Sequence, residues 1–169
     1  MADAVERAST RLGLHKKKLR SSDIDILRES TLMNLNWPGE RFTMQDLLDT
    51  VEFARYIVMD ARRGDYGVVA CTSQGQWVGT ARVLYLPQQN PGYGFVAPGI
   101  GELGVSVQPE ARGVGLGTEL ICDVIEVARV RGDRGVSLSV EAGNPARKLY
   151  EKLGFVDAGG STGAMLLEF

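Results

Sequence analysis

Positions along this chain switch between helical spacing and strict alternation, and the switches mark its elements. Ile24, Leu27, Thr31 and Leu35 recur at helical spacing behind Ser22-Asp23-Ile24-Asp25, which has the form of a capping box, and Trp37-Pro38-Gly39 stops the run. A second box, Thr43-Met44-Gln45-Asp46, predicts a helix that carries Leu47, Val51, Ala54, Ile57 and Val58 and closes at Gly64. "YGVVACTS" and "WVGTARVLYL" are β-rich runs joined across Gln74-Gly75, the pattern of a hairpin. Residues 87–99 then place three prolines and three glycines in irregular backbone, more than a simple connection requires. That segment is a candidate wall of a binding site, or a long surface loop.

From Gly101 the alternation sharpens. "ELGVSV" sets Leu103, Val105 and Val107 on one face and Glu102, Gly104 and Ser106 on the other. A glycine-rich segment follows, then a helix from about residue 117 to 131 with Leu120, Ile121, Val124, Ile125 and Ala128 as its apolar stripe and Gly132 as its cap. "GVSLSV" is the next strand, so residues 101–141 form a βαβ unit with parallel strands and a right-handed crossover. Asn144-Pro145 starts a helix that ends at Gly154, and "AMLLEF" supplies a last strand. The class is α/β, or α+β: one domain over residues 15–169, with a mixed central sheet flanked by about four helices. Residues 1–14 are small and polar and are expected to fray.

Composition narrows the function classes. At 169 residues the chain has the size of one domain and buries roughly two thirds of its unfolded surface around one core. Cys71 and Cys122 have neither the spacing of a zinc site nor the density of a secreted scaffold, so they read as buried thiols in a reducing compartment, and no metal is expected. With 19 basic and 21 acidic side chains there is no field to draw the protein to nucleic acid or an anionic membrane. His15 to Arg20 is a basic run read as a solvated segment entering the fold, and the lone His15 is given no role. No membrane span or signal peptide is legible, and a cytoplasmic location is expected.

Residues 110–118 read "EARGVGLGT". The segment from Arg112 to Thr118 lies between the end of a strand and the first turn of a helix, where unpaired N–H groups converge and the helix dipole is positive. Without Cβ atoms a phosphate can reach those amides directly, a diphosphate above all; alternatively, the glycines serve only a tight turn. A P-loop would need Gly-Lys-Ser/Thr, and Gly117 is followed by Thr118 with no lysine. Neither glycine frame completes G-x-G-x-x-G, although Glu141 stands about where a ribose-binding acid would follow.

The segment resembles the acyl-CoA signature of the GNAT superfamily of N-acetyltransferases, through Arg112, Gly115 and Gly117. "NPARKLYEKLGF" is similar to the family's second signature, through Asn144, Ala146 or Arg147, Leu149, Tyr150, Gly154 and Phe155. The resemblance implies direct attack of a primary amine on the thioester of acetyl-CoA, with no metal. It places the cofactor's diphosphate on Arg112, Gly113, Val114, Gly115, Gly117 and Thr118, and its pantetheine arm along the backbone of Val105 and Val107. Asn144 and Arg147 join the cofactor site, Tyr150 is the acid for the leaving thiolate, and Glu102 is the base, directly or through water. The acceptor is a small-molecule or peptide amine, with Trp37, Phe42, Tyr93 and Phe95 as aromatic candidates for its pocket. A non-catalytic CoA-binding or sensory domain and a nucleotide-binding oxidoreductase fragment stand as alternatives. "AMLLEF" is also a short strand of the kind that pairs across a homodimer.

Overall fold

The computed structural model describes residues 6–169. Seven strands form one mixed sheet: β1 (His15–Lys18), β2 (Tyr66–Cys71), β3 (Trp77–Leu84), β4 (Gly101–Val107), β5 (Gly135–Ser139), β6 (Val156–Asp157) and β7 (Ala164–Glu168). Their order is β1-β2-β3-β4-β5-β7-β6, and only the β4–β5 pair is parallel. A mostly antiparallel sheet of this order is not the doubly wound parallel sheet that a dinucleotide fold requires. Among the described residues no helix is long and apolar enough to cross a membrane.

Helices cover both faces. The longest, here called α5 (Leu116–Arg131), packs Leu120, Ile121, Val124 and Ala128 against Val83, Leu103, Val136 and Leu138. Its ends follow the sequence: Gly115 and Gly132 sit at φ 91° and 77°, left-handed backbone that glycine adopts without strain. On the opposite face α2 (Ile24–Leu35) and α3 (Met44–Asp49) bury Leu27 and Leu47 against Val69 and Leu84. The face of β4 carrying Glu102, Gly104 and Ser106 is therefore covered rather than solvated: Ser106 Oγ donates to the Ser30 carbonyl of α2 at 2.9 Å.

Of the two predicted capping boxes, one forms. Thr43 Oγ1 accepts from Asp46 N at 3.1 Å while the Asp46 carboxylate accepts from Thr43 N at 2.7 Å. Ahead of α2 the Asp23 carboxylate instead turns back to Arg20 N at 2.8 Å, and the helix start has no side-chain cap. The single helix expected up to Gly64 is broken. Thr50 is extended, at φ −97° and ψ 113°, between α3 and the one-turn α4 (Val51–Ala54), and separate 3₁₀ turns follow at Arg55–Ile57 and Ala61–Arg63. The break brings Phe53, Tyr56 and Ile57 onto the core that Leu47 shares and leaves Val51 and Val58 exposed.

The ends of the chain depart further from expectation. Ala8–Arg11 forms the short helix α1 where fraying was expected, with Ala8 buried. Ser9 donates to Glu119 of α5 from N at 2.9 Å and from Oγ at 2.6 Å. Residues 1–5 lie outside the described residues. Lys16, inside the basic run, pairs with Glu119 at 2.8 Å and Asp123 at 2.6 Å, so the run is an edge strand tied to α5 rather than a free patch. The last strand, β7, lies between β5 and β6 with both of its edges hydrogen-bonded. "AMLLEF" is therefore an inner strand of the sheet, its outer edge covered by β6 at Met165 and Leu166, because strand propensity does not record a strand's place in the sheet order.

Candidate active site

Strands β4 and β5 pair only at Gly101↔Val136 and Glu102↔Ser137 and part beyond that point. The gap opens into a cleft of about 1490 Å³ whose walls include Val105 and Val107 on one side and Ser139 and Val140 on the other. At one end lies the loop leading into α5. Arg112 Nε donates to the Val107 carbonyl at 2.8 Å, which ties the loop to the end of β4. Gly113, at φ 76°, and Gly115, at φ 91°, are required by their backbone. Gly117 is not: a Cβ there would meet only Val107 Cγ2, at an ordinary 3.5 Å. It leaves the first-turn N–H groups of α5 bare where the helix dipole favours an anion.

From the other side comes α6 (Ala146–Lys152), started by Asn144, whose Oδ1 accepts from Ala146 N at 3.0 Å. Tyr150 on this helix packs edge-on against Phe155, with ring centroids 6.0 Å apart. Its hydroxyl has no hydrogen-bond partner among the described residues, the ring lines the cleft, and burial pushes the phenol up to about 12. The same cleft is lined by Arg112, Gly113, Gly115, Gly117, Thr118 and Asn144. Two expected cofactor residues stand apart from it. Arg147 is engaged by Glu151 at 3.1 Å and Asp157 at 3.0 Å, and Val114 is exposed, its carbonyl accepting from Arg11 Nη2 at 2.8 Å.

Glu102 lies behind the cleft wall, 7% exposed. Its Oε1 accepts from the Tyr56 hydroxyl at 2.8 Å and from Gly94 N at 3.0 Å, whereas Oε2 is buried with no partner among the described residues. Gly92 lies against that oxygen so closely that a Cβ on it would come within 1.9 Å. Burial raises the Glu102 carboxyl above its usual range, and the hydrogen bonds from Tyr56 and Gly94 oppose the rise. The loop of residues 87–99 is therefore a wall of the site. Tyr93 of this loop stacks on Tyr56, with centroids 6.3 Å apart, and donates its N–H to the Tyr56 hydroxyl at 2.6 Å.

Trp37, Phe42 and Tyr93 line the cleft as the sequence suggested, Phe95 does not, and Phe53 and Tyr56 join them. Glu141 is held by Arg41 at 2.9 Å and by the Trp37 indole, which together lower its carboxyl below the usual range. Tyr56 and Arg82 are among the residues of the site that escaped the sequence reading, and both carry polar groups into it. Tyr56 carried no motif, and Arg82 stood as one charge inside the apolar run "WVGTARVLYL", a signal that could have found it.

The comparisons with known proteins agree on one family. A model described as the acetyltransferase (GNAT) family matches residues 30–155. The chain is 32% identical over 135 residues to the glucosamine 6-phosphate N-acetyltransferase of Trypanosoma brucei brucei, covering 79% of this chain and 88% of that protein. It is 38% identical over 91 residues to the mycothiol acetyltransferase of Paenarthrobacter aurescens, covering 53% of this chain but only 27% of that protein. A GCN5-related N-acetyltransferase from Kribbella flavida superposes with a TM-score of 0.66 at 20% identity, over 94% of this chain and 99% of that one. A GNAT family acetyltransferase from Brucella melitensis in complex with acetyl-CoA superposes with a TM-score of 0.56 at 25% identity, over 92% and 88% of the two chains.

Proposed function

This chain belongs to the acetyltransferase (GNAT) family, and from that premise we propose that it moves an acetyl group from acetyl-CoA to a primary amine by direct attack in a ternary complex. The observation that carries the reading is the parting of β4 and β5 beside the glycine loop, which makes one cleft deep enough for cofactor and acceptor together. The diphosphate rests on the backbone amides of Gly113, Gly115, Gly117 and Thr118, and the pantetheine arm runs along Val105 and Val107. The amine nitrogen attacks the thioester carbonyl carbon, the C–S bond breaks, and the thiolate takes the proton of the Tyr150 hydroxyl. A positioned acid of this kind contributes typically 10²–10⁴-fold.

Because Glu102 does not itself line the cleft, it serves as base through Tyr56. The proton leaving the amine passes to the Tyr56 oxygen as the Tyr56 proton moves to Glu102 Oε1, along the 2.8 Å hydrogen bond. Thr118 and Asn144 flank the cofactor, and Arg112 positions the loop. Arg147 drops out, its guanidinium being committed to Glu151 and Asp157. The reading is tested by mixing the protein with acetyl-CoA and a panel of primary amines, following release of the CoA thiol, and identifying the acetylated amine by mass spectrometry. Thiol release that no amine accelerates would sink it.

The loop has its own test. Gly117→Ala should leave the fold intact and weaken acetyl-CoA by about 10-fold or more, since its Cβ obstructs the anion and little else. Gly115→Ala is a poorer probe, because left-handed backbone at this position costs a side chain roughly 1–2 kcal/mol regardless of the ligand. Calorimetric titration of acetyl-CoA into folded Gly117→Ala that returns the wild-type affinity would make the loop a structural turn.

A further inference from the structure

Arg82 sits mid-strand on β3, 2% exposed, on the face of the sheet that α2 covers. Buried cations are normally paired with carboxylates. Here no carboxylate oxygen of the described residues lies within 4.0 Å, and the guanidinium is held by hydroxyls alone: Nη1 donates to Ser30 Oγ at 3.0 Å and Nη2 to Thr31 Oγ1 at 2.7 Å. Both hydroxyls donate their own protons to the Leu27 carbonyl, so they are fixed as neutral acceptors. Arg82 Nε is buried with no partner among the described residues. Glu102, the acid on the neighbouring strand, is beyond ion-pair distance, with Oε1 engaged by Tyr56 and Gly94 and Oε2 packed on Gly92.

The charge is nonetheless presented to the cleft. Arg82 faces Gly104 across the β3–β4 ladder, and a Cβ built on Gly104 would lie 3.7 Å from Arg82 Cζ, so at this position no β4 side chain stands between the guanidinium and the cleft. Arg82, Gly104 and Thr31 all line the cleft, on the α2 side of β4 rather than beside the glycine loop. Burial lowers the guanidinium to about 10, which still leaves it charged at neutral pH.

We infer that Arg82 receives an oxyanion, a carboxylate or phosphate, carried by the acyl acceptor, so that this enzyme acetylates amines bearing a negative charge close to the amino group. The inference rests on the acetyltransferase reading above and deepens it. A guanidinium held rigid by strand and helix, with N–H groups left over after its two hydroxyl bonds, suits an oxyanion, and the low dielectric around it strengthens the contact. The same wall carries Tyr56 and, behind it, Glu102, the proton acceptor for the amine. An acceptor with both groups would meet a cation and an acid on one surface.

The test uses matched probes: α-amino acids against their carboxamides, and glucosamine 6-phosphate against glucosamine. Binding to the CoA-loaded protein is measured by calorimetry and, separately, acetyl transfer by thiol release. The anionic member of at least one pair should bind about 10-fold or more tightly than its neutral partner, because a site built for a polar group rejects the analogue lacking it. Which pair discriminates tells carboxylate from phosphate. In Arg82→Gln the ratio should collapse toward 1, with Arg82→Lys intermediate. Equal binding of both members by the wild type, binding of neither, or an unchanged ratio in folded Arg82→Gln would each overturn the inference. Wild-type discrimination needs no variant, so a misfolded Arg82→Gln does not protect the proposal. Discrimination in binding without acetyl transfer would uphold the oxyanion site and overturn the acetyltransferase reading of the cleft.

Discussion

Replacing Tyr150 by phenylalanine is expected to slow acetyl transfer by about 10²-fold while leaving acetyl-CoA affinity and heat stability near wild type. The ring keeps its edge contact with Phe155, and the lost hydroxyl has no partner among the described residues, so neither packing nor a hydrogen bond is forfeited. What is lost is the proton for the departing thiolate. The pH profile sharpens the test. An unperturbed phenol titrates near 10 and would put a descending limb in the accessible range. Burial pushes Tyr150 up to about 12, so the wild type should show no descending limb from this group below that pH. Single-turnover rates in acetyl-CoA-saturated enzyme measure the step directly. A variant that transfers acetyl at the wild-type rate would make Tyr150 a core aromatic.

Glu102→Gln should lower turnover by about 10²-fold near neutral pH and yet stabilise the fold there. Gln retains an oxygen for Tyr56 and Gly94 but no longer takes the amine's proton. Partial rescue is expected at high pH, where free amine is abundant, and a pH-independent loss would point to damage instead. The stability effect follows from linkage. Burial holds the Glu102 carboxyl above its usual range in the folded state, so its contribution is fully present below the unfolded pKa and is lost as pH rises through the folded one. The variant should therefore melt higher than wild type at about pH 8, and the gap should close toward about pH 3, where the wild-type carboxyl is protonated in both states. Thermal melts at the two pH values decide the matter. A variant less stable at the higher pH would mean that the carboxylate is a favourable structural charge.

Much of the fold was legible because it is written in short-range chemistry. The Thr43–Asp46 box, the Gln74-Gly75 turn, the glycine ends of α5 and the Asn144 start of α6 each involve groups within a few residues of one another. The two signature segments are equally local, and they brought Gly115, Gly117, Asn144 and Tyr150 to one cleft. The Ser22 box failed on equally local terms, because Arg20 N competed for the Asp23 carboxylate. The ion pair of Arg147 was not legible: Asp157, which meets it at 3.0 Å, arrives from β6, a two-residue strand too short for periodicity to show.

The sequence by itself determined most of the elements, several of their caps, the glycine loop before α5 and the family, since backbone dihedrals and hydrogen bonds within one turn depend on neighbours along the chain. Tertiary structure decided the rest. It set β7 between β5 and β6, broke the helix at Thr50, and parted β4 from β5 after two paired positions. It also made Glu102 a buried acid by laying Gly92 and Gly94 over it and bringing Tyr56 from 46 residues away. Burial, which shifts the pKa of Glu102 and Arg82, is a property of what surrounds a residue in space, and no spacing along the chain encodes it.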